Sequence, residues 1–124
     1  MHDEYGQPGT PIVTALACSL NGTTITLNLT PGTRLASIYD TTSPLVEMTT
    51  CNYGLAPGMQ HLADSYGMTI AATDDTNEAR AIELTSHPFF IATLYQPQLS
   101  STPEHPHPIL RAFIDAISTT PERR

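Results

Sequence analysis

The stretch 86–108, SHPFFIATLYQPQLSSTPEHPHP, constrains the fold more than any other part of this chain. It predicts a turn, an apolar strand at 89–94, a break at Pro97 and a polar, proline-rich loop. The apolar segment that follows, 109–117, has helical periodicity and predicts a helix that packs back onto the strand. In α/β proteins, ligands usually bind at the carboxyl ends of strands. The polar side chains delivered to that position belong to Tyr95, Gln96 and Gln98.

Strands dominate the rest of the prediction. Strict alternation predicts a strand at 24–30, and the Asn21-Gly22 turn predicts a hairpin that joins it to an apolar strand at 11–20. The segment 34–40 is ambiguous between a helical turn and a strand. The further elements predicted from periodicity and turn signals are strands at 45–53, 68–73 and 79–84, the last two antiparallel, and helices at 57–66 and 108–118.

Composition argues against several classes of function. Only 14% of the residues are charged, the net charge is −7 and the chain contains no lysine. Without a basic patch, the chain is not expected to bind nucleic acid or an anionic membrane surface. No apolar run approaches the roughly 20 residues that cross a bilayer. The beginning Met1 to Glu4 is unlike a signal peptide, so a cytoplasmic location is predicted.

No metal or cofactor site is predicted. The two cysteines, Cys18 and Cys51, lack the spacing of a zinc motif. His105 and His107 lie in one loop, but two ligands on a loop are too few for zinc. The more favoured role for His107 is to cap the last helix.

The stretch 86–108 resembles the end of the glutamine amidotransferase domain of the CTP synthase family. That family has His-Pro and an aromatic residue, an apolar strand, Phe-His-Pro-Glu, Ser-x-Pro and a last helix that starts with His-Pro. The matching residues are His87-Pro88-Phe89, Tyr95-Gln96-Pro97-Gln98, Ser101-Thr102-Pro103 and His107-Pro108-Ile109. A looser resemblance joins 45–54 to the family's Val-Glu-Arg-His-Arg-Tyr segment.

The resemblance covers roughly residues 11–118, with 1–10 expected to be a flexible lead-in and 119–124 a tail. It implies an α/β fold, the C-terminal half of a flavodoxin-like class I glutamine amidotransferase-like sandwich. This half is strand-rich with two helices. A half-fold leaves a sheet edge and an apolar face uncovered, so a homodimer or a complementary chain is expected.

Two departures from the family pattern bear on activity. Gln96 and Gln98 stand where the family has its catalytic His and Glu, and an amide cannot serve as a general base. The chain also contains no Gly-x-Cys-x-Gly nucleophile elbow. Glutaminase activity is therefore not expected. The favoured hypothesis is a degenerate domain that acts by binding either a ligand, such as a small molecule, or a partner chain. The residues expected to line the pocket edge are Glu47, Cys51, Tyr53, Gln96 and Gln98.

Two alternatives stay open. The chain is an enzyme of another reaction class, with Cys51 as nucleophile and Glu47 or a histidine as its base, or it is a structural half that completes a separate nucleophile-bearing chain. A reactive thiol needs polar or positive surroundings. The simpler interpretation of Cys51, and still more of Cys18, is a small buried apolar residue.

Overall fold

Alternating strands and short helices make up the described part of the chain, residues 13–15, 22–41, 43–56, 58 and 60–119 of a computed structural model. None of the helices in these residues is long and apolar enough to cross a membrane. The strands are β1 (Val13–Ala15), β2 (Thr23–Leu29), β3 (Leu45–Thr49), β4 (Tyr53–Leu55), β5 (Met68–Thr73), β6 (Ala79–Leu84) and β7 (Ile91–Thr93). The α-helices are α1 (Arg34–Tyr39) and α2 (Pro108–Thr119), and 3-10 turns lie at Gln60–Leu62, Asp64–Tyr66 and Pro97–Ser100.

Five of these strands form one antiparallel sheet in the order β3-β2-β5-β6-β7, and β1 pairs with β4 in a separate ribbon. The β2–β3 pairing is extensive, from Thr23 opposite Thr49 to Leu27 opposite Leu45. The β2–β5 pairing involves only the last two residues of β2. The sheet is therefore two ribbons joined at a narrow seam, and this allows it to curl.

The curl brings the two outer strands of the sheet together. Beyond β7, the backbone amide of Gln96 donates to the carbonyl of Met48 at the end of β3 (3.0 Å). The Thr49 hydroxyl donates to the carbonyl of Leu94, also at 3.0 Å. These contacts close the sheet on itself and place Gln96 beside the last residues of β3.

The core lies between the curled sheet and the two helices. Alternation along β2 points Ile25 and Leu27 inward, as the sequence pattern predicts. The buried residues that form one contiguous cluster are Ile25, Leu27, Leu35, Ala71, Ala72, Ala81, Tyr95 and Ile109.

Helix α1 resolves the ambiguous segment 34–40. The Thr33 hydroxyl caps its first turn at 3.1 Å, and Asp40 ends it in a left-handed conformation. The amides of Arg34 and Leu35 donate to the carboxylate of Glu83 on β6, at 2.9 and 3.0 Å. Because the N-terminus of a helix favours negative charge, Glu83 fixes the helix onto the sheet.

Several predicted elements are confirmed, among them the antiparallel strands at 68–73 and 79–84 and the last helix. The strand predicted at 89–94 is shorter, and the strand predicted at 45–53 is broken after Thr49. The hairpin predicted at Asn21-Gly22 is wrong for the described residues, because β1 pairs with β4 whereas β2 already has β3 and β5 as neighbours. Asn21 itself lies outside the described residues.

The helix predicted at 57–66 is also wrong. Gly58 adopts a φ of 83°, a left-handed conformation that an α-helix excludes. The chain instead forms two 3-10 turns, and the second ends at Gly67 as predicted for a helix C-cap. The apolar spacing that predicted a helix at 57–66 therefore belongs to short turns that lead into β5.

Candidate functional site

The closure of the sheet places Cys51 and Gln96 in contact. The Gln96 Nε2 group donates to Cys51 Sγ at 3.3 Å, and Gln96 Oε1 accepts from the amide of Thr50 at 2.6 Å. The Cys51 amide in turn donates to the hydroxyl of Thr49 at 3.0 Å. Both polar atoms of the Gln96 side chain are therefore engaged, the oxygen by the Thr50 backbone amide and the nitrogen by the Cys51 thiol.

The chemistry available to this pair is limited. An amide does not accept a proton near neutral pH, so Gln96 cannot activate the Cys51 thiol as a base. Its Nε2 hydrogen instead offers the sulfur a weak polar contact. Cys51 is half-buried, so the thiol is neither an inert core residue nor a freely exposed one. Among the described residues, no group of three His, Cys, Asp or Glu side chains is arranged to hold a metal ion.

Glu47 belongs to a separate, buried cluster. It is 5% exposed and accepts hydrogen bonds from the Tyr39 hydroxyl and from His107 Nε2. The Tyr95 hydroxyl lies 3.0 Å from that of Tyr39. Four elements meet here: α1, β3, the segment after β7 and the start of α2.

The protonation of this cluster follows from its hydrogen bonds. The Ile109 amide donates to His107 Nδ1 at 3.1 Å, so Nδ1 carries no proton and Nε2 is the donor to Glu47. The imidazole is neutral in this arrangement and Glu47 carries the negative charge. Burial raises the pKa of Tyr39, and the neighbouring Tyr95 and Glu47 raise it further. Burial likewise raises the pKa of Tyr95, although its hydrogen bond to Tyr39 acts in the opposite direction.

The residues predicted for the pocket edge are thus only partly brought together. Cys51 and Gln96 meet, whereas the carboxylate of Glu47 is engaged by Tyr39 and His107. Tyr53 is 52% exposed on β4, and Gln98 is exposed on the 3-10 turn after Gln96.

The histidines and the second cysteine have different outcomes. The predicted capping role of His107 is confirmed, since its Nδ1 accepts the Ile109 amide in the first turn of α2. His105 is exposed, and its amide donates to the Thr102 hydroxyl. Cys18 lies outside the described residues. Sequence reasoning missed Tyr39, because only the tertiary packing of α1 gives this residue a polar partner.

Sequence comparison relates the chain to CTP synthases. The CTP synthase of Roseiflexus sp. (strain RS-1) is 32% identical over 93 residues, which are 74% of this chain and 16% of that protein. The CTP synthase of Azospirillum brasilense is 27% identical over an alignment of 134 positions, which covers 91% of this chain and 24% of that protein. The match lies in the glutaminase part of these proteins, so the chain spans well under a third of the length of the curated relatives it matches. No protein-family profile matches the chain.

Structural comparison points to the same part. The glutaminase domain of the Trypanosoma brucei CTP synthase, solved with bound acivicin, matches with a TM-score of 0.78 at 22% identity. The match covers 90% of this chain and 47% of that domain. The predicted fold class, an α/β portion of a class I glutamine amidotransferase-like sandwich, is confirmed.

Proposed function

Because this chain is related in sequence and in fold to the glutamine amidotransferase part of CTP synthases, we propose that it is a degenerate member of that group, which does not hydrolyse glutamine and acts by binding. One observation carries the proposal. At the position of the family's catalytic histidine, the amide of Gln96 is held by the Thr50 amide and faces the Cys51 sulfur.

This arrangement supports binding rather than catalysis. The Gln96 carbonyl oxygen and amino group are both engaged, so the side chain acts as a fixed polar bridge between the two edges of the curled sheet. Gln98, which replaces the family's Glu, is exposed and carries no charge with which to orient a base. What remains is a half-buried polar edge around Cys51 that offers hydrogen bonds to a small molecule or to a partner chain.

The test is release of ammonia from L-glutamine by the purified chain. We expect no release above the buffer background, and the same result for Cys51→Ala. The double variant Gln96→His/Gln98→Glu, which restores the family's residue types, is expected to stay inactive because the sequence has no nucleophile elbow. Ammonia release by the unaltered chain that disappears in Cys51→Ala or Cys18→Ala contradicts the proposal.

A second candidate function uses Cys51 as a nucleophile in another reaction. The observation in its favour is the Gln96 Nε2 contact to the half-buried sulfur, because it gives the thiol a polar neighbour at an accessible edge. Iodoacetamide should then modify Cys51 in the folded chain faster than Cys18, and Gln96→Leu should slow the reaction. Equal protection of both thiols until the chain unfolds eliminates this candidate.

The binding function includes a second copy of the chain. The match covers 47% of the solved domain, so about half of that domain has no counterpart in this chain. On α2, four apolar side chains at helical spacing are left 38 to 59% exposed: Leu110, Phe113, Ile114 and Ile117. This set, called the α2 stripe below, contains no charge. It can therefore pair with itself about a two-fold axis, as homodimer interfaces do.

A further inference from the structure

His107 holds the start of α2 with one of its two ring nitrogens. Nδ1 accepts the Ile109 amide at 3.1 Å, as an N-cap side chain does, and Nε2 donates to Glu47. His107 is 5% exposed, and its own backbone amide donates to the Ser101 hydroxyl at 2.9 Å. The cap requires a free lone pair on Nδ1, so it exists only while the imidazole is neutral.

Helix α2 enters the core through the residue that this cap holds. Of the residues of α2, all of which the structure describes, Ile109 alone is buried, at 8% exposed. Further along the helix, the Phe113 ring packs on Phe89 with its centroid 5.5 Å away, and the rest of the α2 stripe is exposed. Loss of the bond to the Ile109 amide therefore loosens the point at which α2 is anchored.

Protonation of His107 removes the cap for two reasons. A proton on Nδ1 turns the acceptor into a donor that faces the Ile109 amide. It also places a positive charge at the N-terminus of a helix, where the macrodipole favours a negative one. The imidazolium can still donate from Nε2 to the carboxylate of Glu47, in a charge-assisted bond. The proton and the cap thus exclude each other, while the ring stays bound to the sheet.

Titratable groups face His107 from three elements. They are Glu47 on β3, Tyr39 on α1 with its hydroxyl 3.4 Å from Nε2, and Tyr95 after β7, whose hydroxyl lies 3.0 Å from that of Tyr39. Burial raises the pKa of both tyrosines, so they stay neutral where histidine titrates. Arg34 on α1 donates to backbone carbonyls before β7 instead. The charged or titratable groups at the end of α1, in the loop before α2 and on α2 are exposed: Asp40, Glu104, His105, Arg111 and Asp115.

We propose that His107 is a pH-sensitive switch for the start of α2. The neutral imidazole holds the first turn of the helix on the sheet, and a proton on Nδ1 releases that turn while the ring stays on Glu47. Lowering the pH favours the released state because this state binds one proton more. The inference does not rest on the function proposed above.

Hydrogen exchange followed by NMR tests the switch between about pH 8 and 5, where histidine ordinarily changes its charge. Protection of the Ile109 amide, corrected for intrinsic exchange and divided by that of the β5 amides, should fall about tenfold at the lower pH. The ¹⁵N shifts of the His107 ring should show that Nδ1 gains its proton over the same interval. His105→Asn removes an exposed histidine of the same loop and should leave both results unchanged.

Two variants separate the switch from a general sensitivity to acid. His107→Asn keeps an uncharged cap at the same position, so protection of the Ile109 amide should be equal at both pH values. Glu47→Gln removes the charge that stabilises the imidazolium, so the fall should move to lower pH, and this variant decides the matter if His107→Asn does not fold. Constant protection or a neutral ring throughout in the unaltered chain, a fall that persists in His107→Asn, or an unchanged midpoint in Glu47→Gln overturns the proposal.

Discussion

At the scale of single residues, buried negative charge is the feature that most needs an explanation in a chain without lysine. Glu47 and Glu83 are 5% and 4% exposed, and a buried carboxylate is stable only when hydrogen-bonded. Glu83 is satisfied by the first amides of α1, and Glu47 by the Tyr39 hydroxyl and neutral His107. Both carboxylates thus join a helix to the sheet.

Removal of the Glu47 charge tests this account. In Glu47→Gln, one oxygen can still accept from Tyr39 and His107, because both donate to Oε2, but the bonds lose the negative charge of their acceptor. We expect a loss of about 2 kcal/mol in the free energy of unfolding, measured with urea. Glu78→Gln, an exposed carboxylate on the β5–β6 turn, should change it by less than about 0.5 kcal/mol. Similar losses in the two variants would show that the cluster contributes nothing specific.

The two buried tyrosines give a pH prediction. Their pKa values are raised in the folded chain, so they stay neutral while unfolded tyrosine ionises near pH 10. The stability that this provides is complete below pH 10 and is lost as the pH rises above it. At pH 11 the folded chain and Tyr39→Phe should have the same phenolate absorbance at 295 nm. In denaturant the variant should lose a fifth of the signal, since the chain has five tyrosines. Equal losses in both states contradict the prediction.

Sequence reasoning identified several of these residues but not their groupings. Glu47, Cys51 and Gln96 were recognisable from a family pattern and from their places at strand ends. The contact of Gln96 with Cys51 depends on the curl of the sheet, which joins segments 45 residues apart. The link between Glu47 and Tyr39 depends on how α1 packs, and local periodicity carries no information about that.

At the scale of elements, the β5–β6 turn is fixed by one side chain. Asp74 Oδ1 accepts from the amide and hydroxyl of Thr76 and from the Glu78 amide, and Oδ2 accepts from Arg80. Burial alone would raise the pKa of Asp74, but these hydrogen bonds outweigh it and lower the pKa below 3.8. The ionised carboxylate therefore stabilises the folded turn.

This stabilisation should depend on pH. It is complete above the unfolded value of 3.8 and is lost as the pH falls through the lower folded value. Asp74→Asn resembles the protonated acid, so it should be less stable than the unaltered chain by about 1–2 kcal/mol at pH 6. The difference should shrink toward zero once the pH falls below the folded value, where both side chains are uncharged. A difference that stays constant with pH, measured by urea unfolding, would rule out a role for the charge.

The elements differ in how far the sequence predicted them. Strands β5 and β6 were predictable because the turn between them has strong polar signals and both flanks are apolar. The partner of β1 was not, because an Asn-Gly turn favours a local hairpin whereas the described residues of β1 pair with the distant strand β4. The helix predicted at 57–66 is wrong because Gly58 has a positive φ, and the periodicity of apolar residues carries no information about backbone angles.

At the scale of the whole molecule, the α2 stripe predicts the oligomeric state. Sedimentation at micromolar concentration should show a dimer. Ile114→Glu, which places a charge at the most exposed position of the stripe, should shift the chain to monomer without unfolding it. Thr119→Glu adds the same charge on the same helix outside the stripe and should leave the dimer intact. A well-folded monomer of the unaltered chain at high micromolar concentration refutes the interface.

The closure of the sheet also has a kinetic consequence. The bonds from Thr50 to Gln96 and from Thr49 to Leu94 join residues 46 and 45 positions apart, whereas β5 and β6 are neighbours along the chain. Long loops close late during folding because their entropy is lost before contacts compensate for it. The β5–β6 ribbon is thus the early structure, and closure onto β3 is the last event. In deuterium exchange, the backbone amides of Thr50 and Gln96 should exchange at the same rate as each other and faster than those of β5. Such local opening would make the edge around Cys51 accessible without global unfolding.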